Sequence, residues 1–386
     1  MDLDFTPEQE MLRDAVAGVC ARHCGLDVVR AMEDDPVGYS DAFWAQLGEL
    51  GLLGMLLPEQ YGGSEMSLLD GVVVYQELGR ALAPSPHFVS SVMSAGAILA
   101  AGSDGQKDEW LPKISAGEAI VTPAWLEPQG GFGPEGIHLA ATADGDGWRL
   151  DGVKRHVYFA QAADQLLVLA RTDAGPTFFL VANDAPGVTL TQLMSISSDT
   201  QYRVDFEGVR VGADALVGAE GDAWSAWDAA MHDGIILLAA QAVGGAQYAH
   251  AITTQYAKDR FQFDKPLGAF QSLAHYLSDG ITTVDGAETL VWEAAWSRTV
   301  GRDVSTLAPM AKLFACQTFR DVTATAQQIF GGVGFTLEYD IQLYFRRAKQ
   351  LQISWWNDRY LEELVAHQVL DDRQVVPTLV SGQPLQ

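Results

Sequence analysis

Six residues in the last third of the chain have the side chains and spacing to clasp a polyanion. Arg260 closes a stretch of helical texture, and a guanidinium meets two phosphate oxygens at once. Gln271 and Gln328 offer amide donors. Gly331, Gly332 and Gly334 let backbone N–H groups approach a ligand with no Cβ in the way. Together they suit a pyrophosphate. Either stretch by itself is better read as a helix-ending arginine or a Gly-rich turn between helices. The rest of the chain gives a polyanion little help, because its 386 residues carry 50 acidic and 24 basic side chains, a net charge of −26. Such a field repels nucleic-acid backbones and acidic membrane surfaces, so neither is expected as a partner.

Other chemistry-bearing residues point to nothing further. Cys20, Cys24 and Cys316 cannot build a disulfide framework, and His23 beside the first two does not complete a metal site. No metal is expected. Met1-Asp2-Leu3-Asp4 lacks the apolar run of a secretory leader, and no apolar stretch reaches the roughly 20 residues of a membrane span. A cytoplasmic protein is expected.

Three textures must position the clasp. Residues 1–119 read as helical: Thr6, Pro7 and Gln9 form a capping-box start, and Leu12, Val16 and Val19 follow at helical spacing. A second helix carries Phe43, Leu47 and Leu50 up to Gly51, and another runs from Leu68 to Leu82. Residues 120–225 read as a β domain, with a hairpin at Asp144-Gly145-Asp146-Gly147, apolar runs at 166–170 and 178–181, and a bend at Gly208. Residues 226–386 read as a helical bundle with segments near 224–260, 270–300, 305–330 and 338–366, then a frayed tail around Pro377. Trp224 with Trp227, and Trp292 with Trp296, have helix-packing spacing. The fold class is α+β: an N-terminal helical domain, a middle β-barrel or sandwich, and a C-terminal four-helix bundle. A ligand is expected where the β domain meets the bundle.

Several stretches, in order, resemble the acyl-CoA dehydrogenase family. They are Pro58-Glu59-Gln60-Tyr61-Gly62-Gly63-Ser64, Leu126-Glu127-Pro128, Asp151-Gly152-Val153-Lys154 and Tyr256 through Phe263, followed by Pro266-Leu267-Gly268 and Gln271. Gln328-Ile329-Phe330-Gly331-Gly332-Val333-Gly334-Phe335-Thr336 is the most specific, and Arg346-Arg347-Ala348-Lys349 echoes the family's Arg-Asp-Ala-Lys. The resemblance implies FAD as cofactor, an acyl-CoA substrate, an electron-transfer flavoprotein as redox partner, and a homo- or hetero-oligomer, dimer or tetramer. By family position the FAD-binding residues are Arg260, Phe263, Gln271, Gln328, Ile329, Gly331 and Gly332, serving a cofactor that lies across a subunit interface. Val157 and Tyr158 match the residues that pack and hydrogen-bond the flavin ring.

The chain departs from the family at the chemistry. Family members abstract an α proton with a glutamate, and Trp355 stands at its usual position. The alternative position, on the helix about 26 residues before the flavin arginine, falls on Gly234. Asp233 lies one residue away, about 100° around a helix, and His232 is another weak candidate. No catalytic residue is therefore assigned. His156-Val157-Tyr158 replaces the family's Trp-Ile-Thr, Gln129-Gly130-Gly131-Phe132-Gly133 replaces its Gly-Ser-Asp, and Asp264 replaces a glycine near the expected pyrophosphate. These departures resemble the bacterial sterol-side-chain dehydrogenases in which only a partner subunit supplies the glutamate. The expected function is α,β-desaturation of a fatty or steroid acyl-CoA as one subunit of a heteromer. Alternatives are a self-sufficient dehydrogenase with a base at Asp233, Asp358 or Glu362, another flavin chemistry on the same fold, and a non-catalytic structural subunit.

Overall fold

Thr6 begins the first helix as its spacing predicts. Its hydroxyl accepts the N–H of Gln9 while the Gln9 side chain accepts that of Thr6, which satisfies two helix-end donors in the helix Pro7–His23 (α1). The computed structural model describes residues 5–371, so Met1–Asp4 and the Pro377 tail lie outside it. Helices Leu26–Ala31 (α2) and Asp41–Glu49 (α3) follow. Phe43 and Leu47 are buried and Gly51, at φ +70°, stops the run, while Leu50 is 38% exposed rather than core. Leu68–Arg80 (α4) has a second capping box from Ser67 and Asp70. A π-helical turn, Phe88–Ser94, runs straight into Ala95–Ala101 (α5), and Asp104–Ala116 (α6) completes the set.

The period then changes from helical to alternating. Strands Val121–Ala124 (β1), Ala140–Asp144 (β2), Gly147–Tyr158 (β3), Gln165–Thr172 (β4), Gly175–Ala182 (β5), Val188–Leu193 (β6), Gln201–Val211 (β7) and Leu216–Val217 (β8) form one eight-stranded sheet. Its order is β6-β7-β3-β2-β4-β5-β8, with β1 parallel to β4. The hairpin turns at Gly145, and Gly208 bends β7 at φ +62°. Leu150, Val157, Leu166, Val168, Phe179, Val204 and Phe206 form its apolar core. The β3–β7 register slips twice, between Leu150 and Gly152 and between Lys154 and Val157. The second slip sits where the flavin residues were expected.

Helix Ala223–Asp259 (α7) leaves this unit, Phe5–Gly234, and enters a second one beginning at Ile235. Contrary to expectation, α7 contains a window long and apolar enough to cross a membrane, but 67% of that window is buried inside the protein. In the second unit the hairpin Phe261–Gln262 (β9) and Lys265–Pro266 (β10) leads to helices Gln271–Thr299 (α8) and Leu307–Phe330 (α9). The fourth helical segment is not continuous. It breaks at Ser354–Trp356 into Ile341–Ile353 (α10) and Asp358–Ala366 (α11), because Trp355 and Trp356 adopt left-handed backbone and Asn357 caps a new start. Helix α9 is central: Ala308, Ala311, Ala315, Phe319, Val322 and Ala326 are buried along one face, and Gly245 lets Phe319 approach α7 closely.

Candidate functional site

Helix α9 ends on the residues that its sequence singled out. Gly331 has φ +66° and ψ −142°, a conformation that side chains rarely adopt. A Cβ at Gly331 or Gly332 would meet open space, so the backbone there is accessible. An open groove of about 390 Å³ is lined by Ala324, Gln327, Gln328, Gly331, Phe335 and Phe345. Gln328 is exposed to it. Gln327, which the sequence reading passed over, is only 4% exposed, yet its Nε2 and Oε1 have no hydrogen-bond partner among the described residues. A buried amide left open beside a groove is what a polar ligand would satisfy. Ile329 points elsewhere: it is 5% exposed and packs beside His250 and Thr253 of α7 and Leu277 of α8.

Arg260, Phe263 and Gln271 lie outside that groove's lining. Tyr256 stacks on Phe330 at 4.2 Å, so the ends of α7 and α9 are neighbours. Arg260 follows one turn later, its N–H on the Tyr256 carbonyl and its own carbonyl receiving Leu267 N–H, both at 2.8 Å. Its guanidinium is exposed and enters no ion pair among the described residues. Phe263 and Asp264 form the two-residue turn of the β9–β10 hairpin, with φ +51° and +62°. Such turns favour glycine and asparagine. Phe263 is 87% exposed with its ring edge to Phe270, and the Asp264 carboxylate is exposed beside Arg260's loop. Gln271 is the exposed first residue of α8.

In the first unit the Glu127 and Lys154 turns are tied by an ion pair at 2.6 Å, with Lys154 wholly buried and Glu127 nearly so. Glu127 Oε1 also accepts the N–H groups of His138 and Leu139, and Lys154 donates to the Trp125 carbonyl. Burial pushes Lys154 down to about 8, with Glu127 pulling the other way. The sequence marks both turns but not this bond, which fixes the loop after β1 to β3. Beyond Lys154 the Val157 side chain lies in the sheet core with no exposure, so only its backbone can reach a ligand. Tyr158 is half-buried, its carbonyl accepting the Thr122 hydroxyl at 2.6 Å.

The two positions that the sequence resemblance marks for a base are both closely packed. Trp355 is 6% exposed at φ +52°, and Trp356 is fully buried at φ +70°. The buried Lys312 ammonium holds their turn by donating to the carbonyls of Leu351 (3.0 Å) and Trp356 (2.8 Å). A Cβ on Gly234 would come within 2.6 Å of Met93 Sδ and 3.2 Å of the Phe88 ring. His232 is bound back to its own helix, Nδ1 to the Asp228 carbonyl at 2.8 Å. Burial lowers its pKa, but the hydrogen bonds and charge of Asp228 outweigh that and raise it. Asp358 gives one oxygen to Gln317 and Gln352, while its buried Oδ1 has no hydrogen bond among the described residues. Glu362 is exposed on α11.

The exposed guanidinium, the open Gln327 amide and the uncovered glycine backbone fit a phosphate-bearing cofactor. Comparison with known proteins gives the class. Models of the acyl-CoA dehydrogenase N-terminal, middle and C-terminal domains match residues 6–118, 123–209 and 221–370. Acyl-CoA dehydrogenase FadE12 of Mycobacterium tuberculosis is 33% identical over 361 residues, covering 90% of this chain and 92% of the relative. The ChsE4-ChsE5 complex of the same organism superposes with a TM-score of 0.87 at 28% identity, covering 96% of this chain and 99% of that one. A variant of the Tcur3481-Tcur3483 steroid ACAD gives 0.85 at 29% identity, covering 95% and 99%. The chain belongs to the acyl-CoA dehydrogenase family, whose members are FAD-dependent oxidoreductases acting on CH–CH bonds.

Proposed function

We propose that this chain is one subunit of a heteromeric acyl-CoA dehydrogenase whose partner chain supplies the proton-abstracting carboxylate. The observation that carries the reading is the occupation of both base positions: Trp355 is packed inside at one, and Met93 and Phe88 close on Gly234 at the other. Indole has no basic lone pair to take an α proton. Two similar structures, the ChsE4-ChsE5 complex and the Tcur3481-Tcur3483 steroid ACAD, each carry two chain names and support a two-chain assembly. The substrate class is a fatty or steroid acyl-CoA thioester, the compartment the cytoplasm, and the redox partner an electron-transfer flavoprotein. We place the domain divisions near residues 119 and 225.

FAD, when bound, accepts the β hydrogen of the acyl chain as hydride. The chain's own contribution is to bind and orient. Arg260 would hold and neutralise the pyrophosphate, with Asp264 opposing it by repulsion. Gln327, Gln328 and the bare backbone of Gly331 and Gly332 supply uncharged hydrogen bonds. Arg260 lies outside the groove that Gln328 lines, and each serves as a half-site that a second chain completes. The test is purification of this chain alone and with the dehydrogenase encoded beside it, followed by visible absorption and acyl-CoA turnover. Turnover is expected only with the partner. Full flavin occupancy and turnover by this chain alone would overturn the reading.

A second reading has one observation in its favour: the buried, unclaimed Oδ1 of Asp358 could serve as a relocated base. It predicts that the single chain turns over and that Asp358→Ala abolishes it.

A further inference from the structure

The end of β3 carries a polar relay that the reading above does not use. His156 Nδ1 lies 2.6 Å from Gln201 Oε1. Gln201, 5% exposed, donates its amide N–H to Asp199 Oδ2. Asp199 is also buried, and its Oδ1 accepts the hydroxyls of Ser195 and of Ser197, the latter at 2.5 Å. The direction of each bond follows from its neighbour. A carboxylate accepts, so Gln201 turns its NH2 toward Asp199 and its carbonyl oxygen toward His156. That oxygen only accepts, so Nδ1 carries a proton. The neutral ring then has its lone pair on Nε2.

The backbone around this ring is strained as well. His156 at φ +52° and Phe159 at φ +54° flank Val157-Tyr158, and β3 slips register against β7 at the same place. Left-handed backbone at non-glycine residues persists only where the surroundings over-determine it, and it gathers at ligand sites. Here the Thr122 hydroxyl holds the Tyr158 carbonyl, and Phe159 N–H donates to Thr200 at 3.2 Å. His156 itself remains exposed.

We propose that Asp199 and Gln201 are positioning residues that lock His156 in its Nδ1–H tautomer and present the bare Nε2 as a hydrogen-bond acceptor for an N–H of a planar heterocycle. Resting on the reading that Val157 and Tyr158 border FAD, that heterocycle is the isoalloxazine. The role needs Gln201 across the strand, where Tyr158 and Gln201 are register partners.

The full chain, with 15N-labelled histidine rings and above the ordinary histidine titration range, tests the lock by long-range 1H–15N correlation. His156 is assigned by its loss in His156→Phe. Wild type is expected to carry the proton on Nδ1, and Gln201→Met to release a tautomer mixture. A wild-type proton on Nε2 overturns the lock. The ligand is tested by titrating FAD and following flavin fluorescence. His156→Phe is expected to weaken binding about five-fold, the worth of one neutral hydrogen bond, and His156→Gln to restore it. Equal affinity in wild type and His156→Phe overturns the isoalloxazine assignment and leaves FAD on Arg260 and Gln328. If the wild-type chain binds no FAD with or without its partner, the functional reading and the ligand assignment both fall, and the tautomer alone decides the lock.

Discussion

Two lysines lie wholly inside this protein, and they are held in opposite ways. Lys154, in the first unit, meets a carboxylate at 2.6 Å and a carbonyl at 3.1 Å. Lys312, in the second, donates among the described residues only to the carbonyls of Leu351 and Trp356. Burial depresses both pKa values; Glu127 opposes it directly for Lys154, whereas Cys316 and Asp358 oppose it without a hydrogen bond for Lys312. The first arrangement neutralises a charge and freezes a loop beside the sheet. The second uses a charge to grip peptide dipoles and keeps two tryptophans in left-handed backbone. The difference teaches that a buried ammonium can serve as a structural pin without a carboxylate bonded to it, here holding the Trp355-Trp356 turn.

The comparison can be broken by removing each pin. Lys154→Met leaves Glu127 buried and unpaired and is expected to lower unfolding stability by about 3–5 kcal/mol, read as a shift in urea midpoint. Lys312→Met strands two buried carbonyls with no orphaned charge bonded to them, for about 2–4 kcal/mol. A larger loss at Lys312 than at Lys154 would reverse the ranking.

A neutral buried group gives the third probe. His87 in the first unit is fully enclosed, Nδ1 2.9 Å from the Tyr75 hydroxyl and Nε2 3.0 Å from the Leu52 carbonyl. That carbonyl only accepts, so Nε2 carries the proton and Nδ1 accepts from Tyr75. Burial pushes its pKa down to about 4, the Leu52 carbonyl only partly opposing this. The unfolded chain therefore binds the proton first, so this residue's contribution is intact above about pH 6.5 and is lost as pH falls toward 4. The loss is roughly 3 kcal/mol. Urea unfolding from pH 7 to 4 should show a steeper decline for wild type than for His87→Gln.

The smallest effects separate shape from binding at the end of α9. Gly331→Ala places a Cβ on left-handed backbone and should cost about 1–3 kcal/mol. Gly332→Ala faces open space and should change thermal stability by no more than about 0.5 kcal/mol while still weakening FAD retention. Unchanged FAD retention in Gly332→Ala would remove this turn from the cofactor reading.

Much of the fold was legible because it rests on local rules. The Thr6-Pro7-Gln9 start, the hairpin at Gly145 and the bend at Gly208 each depend on a few adjacent residues, and each stands where the sequence places it. The glycines after α9 were equally visible. The break at Trp355-Trp356 was not, since neither residue has a propensity for φ above zero and the pin, Lys312, is some forty positions earlier. Gln327 was hidden for a similar reason: only the packed structure shows which of two adjacent glutamines is enclosed. The relay through His156, Gln201 and Asp199 joins residues brought together by strand register, which no local pattern reports.

The tight box around Gly234 has an evolutionary corollary. A carboxylate placed there by one codon change would strike a thioether and a phenyl ring that already fill the space. Making room for it would take coordinated replacements on two helical elements, so no single substitution can seat an acid at this position.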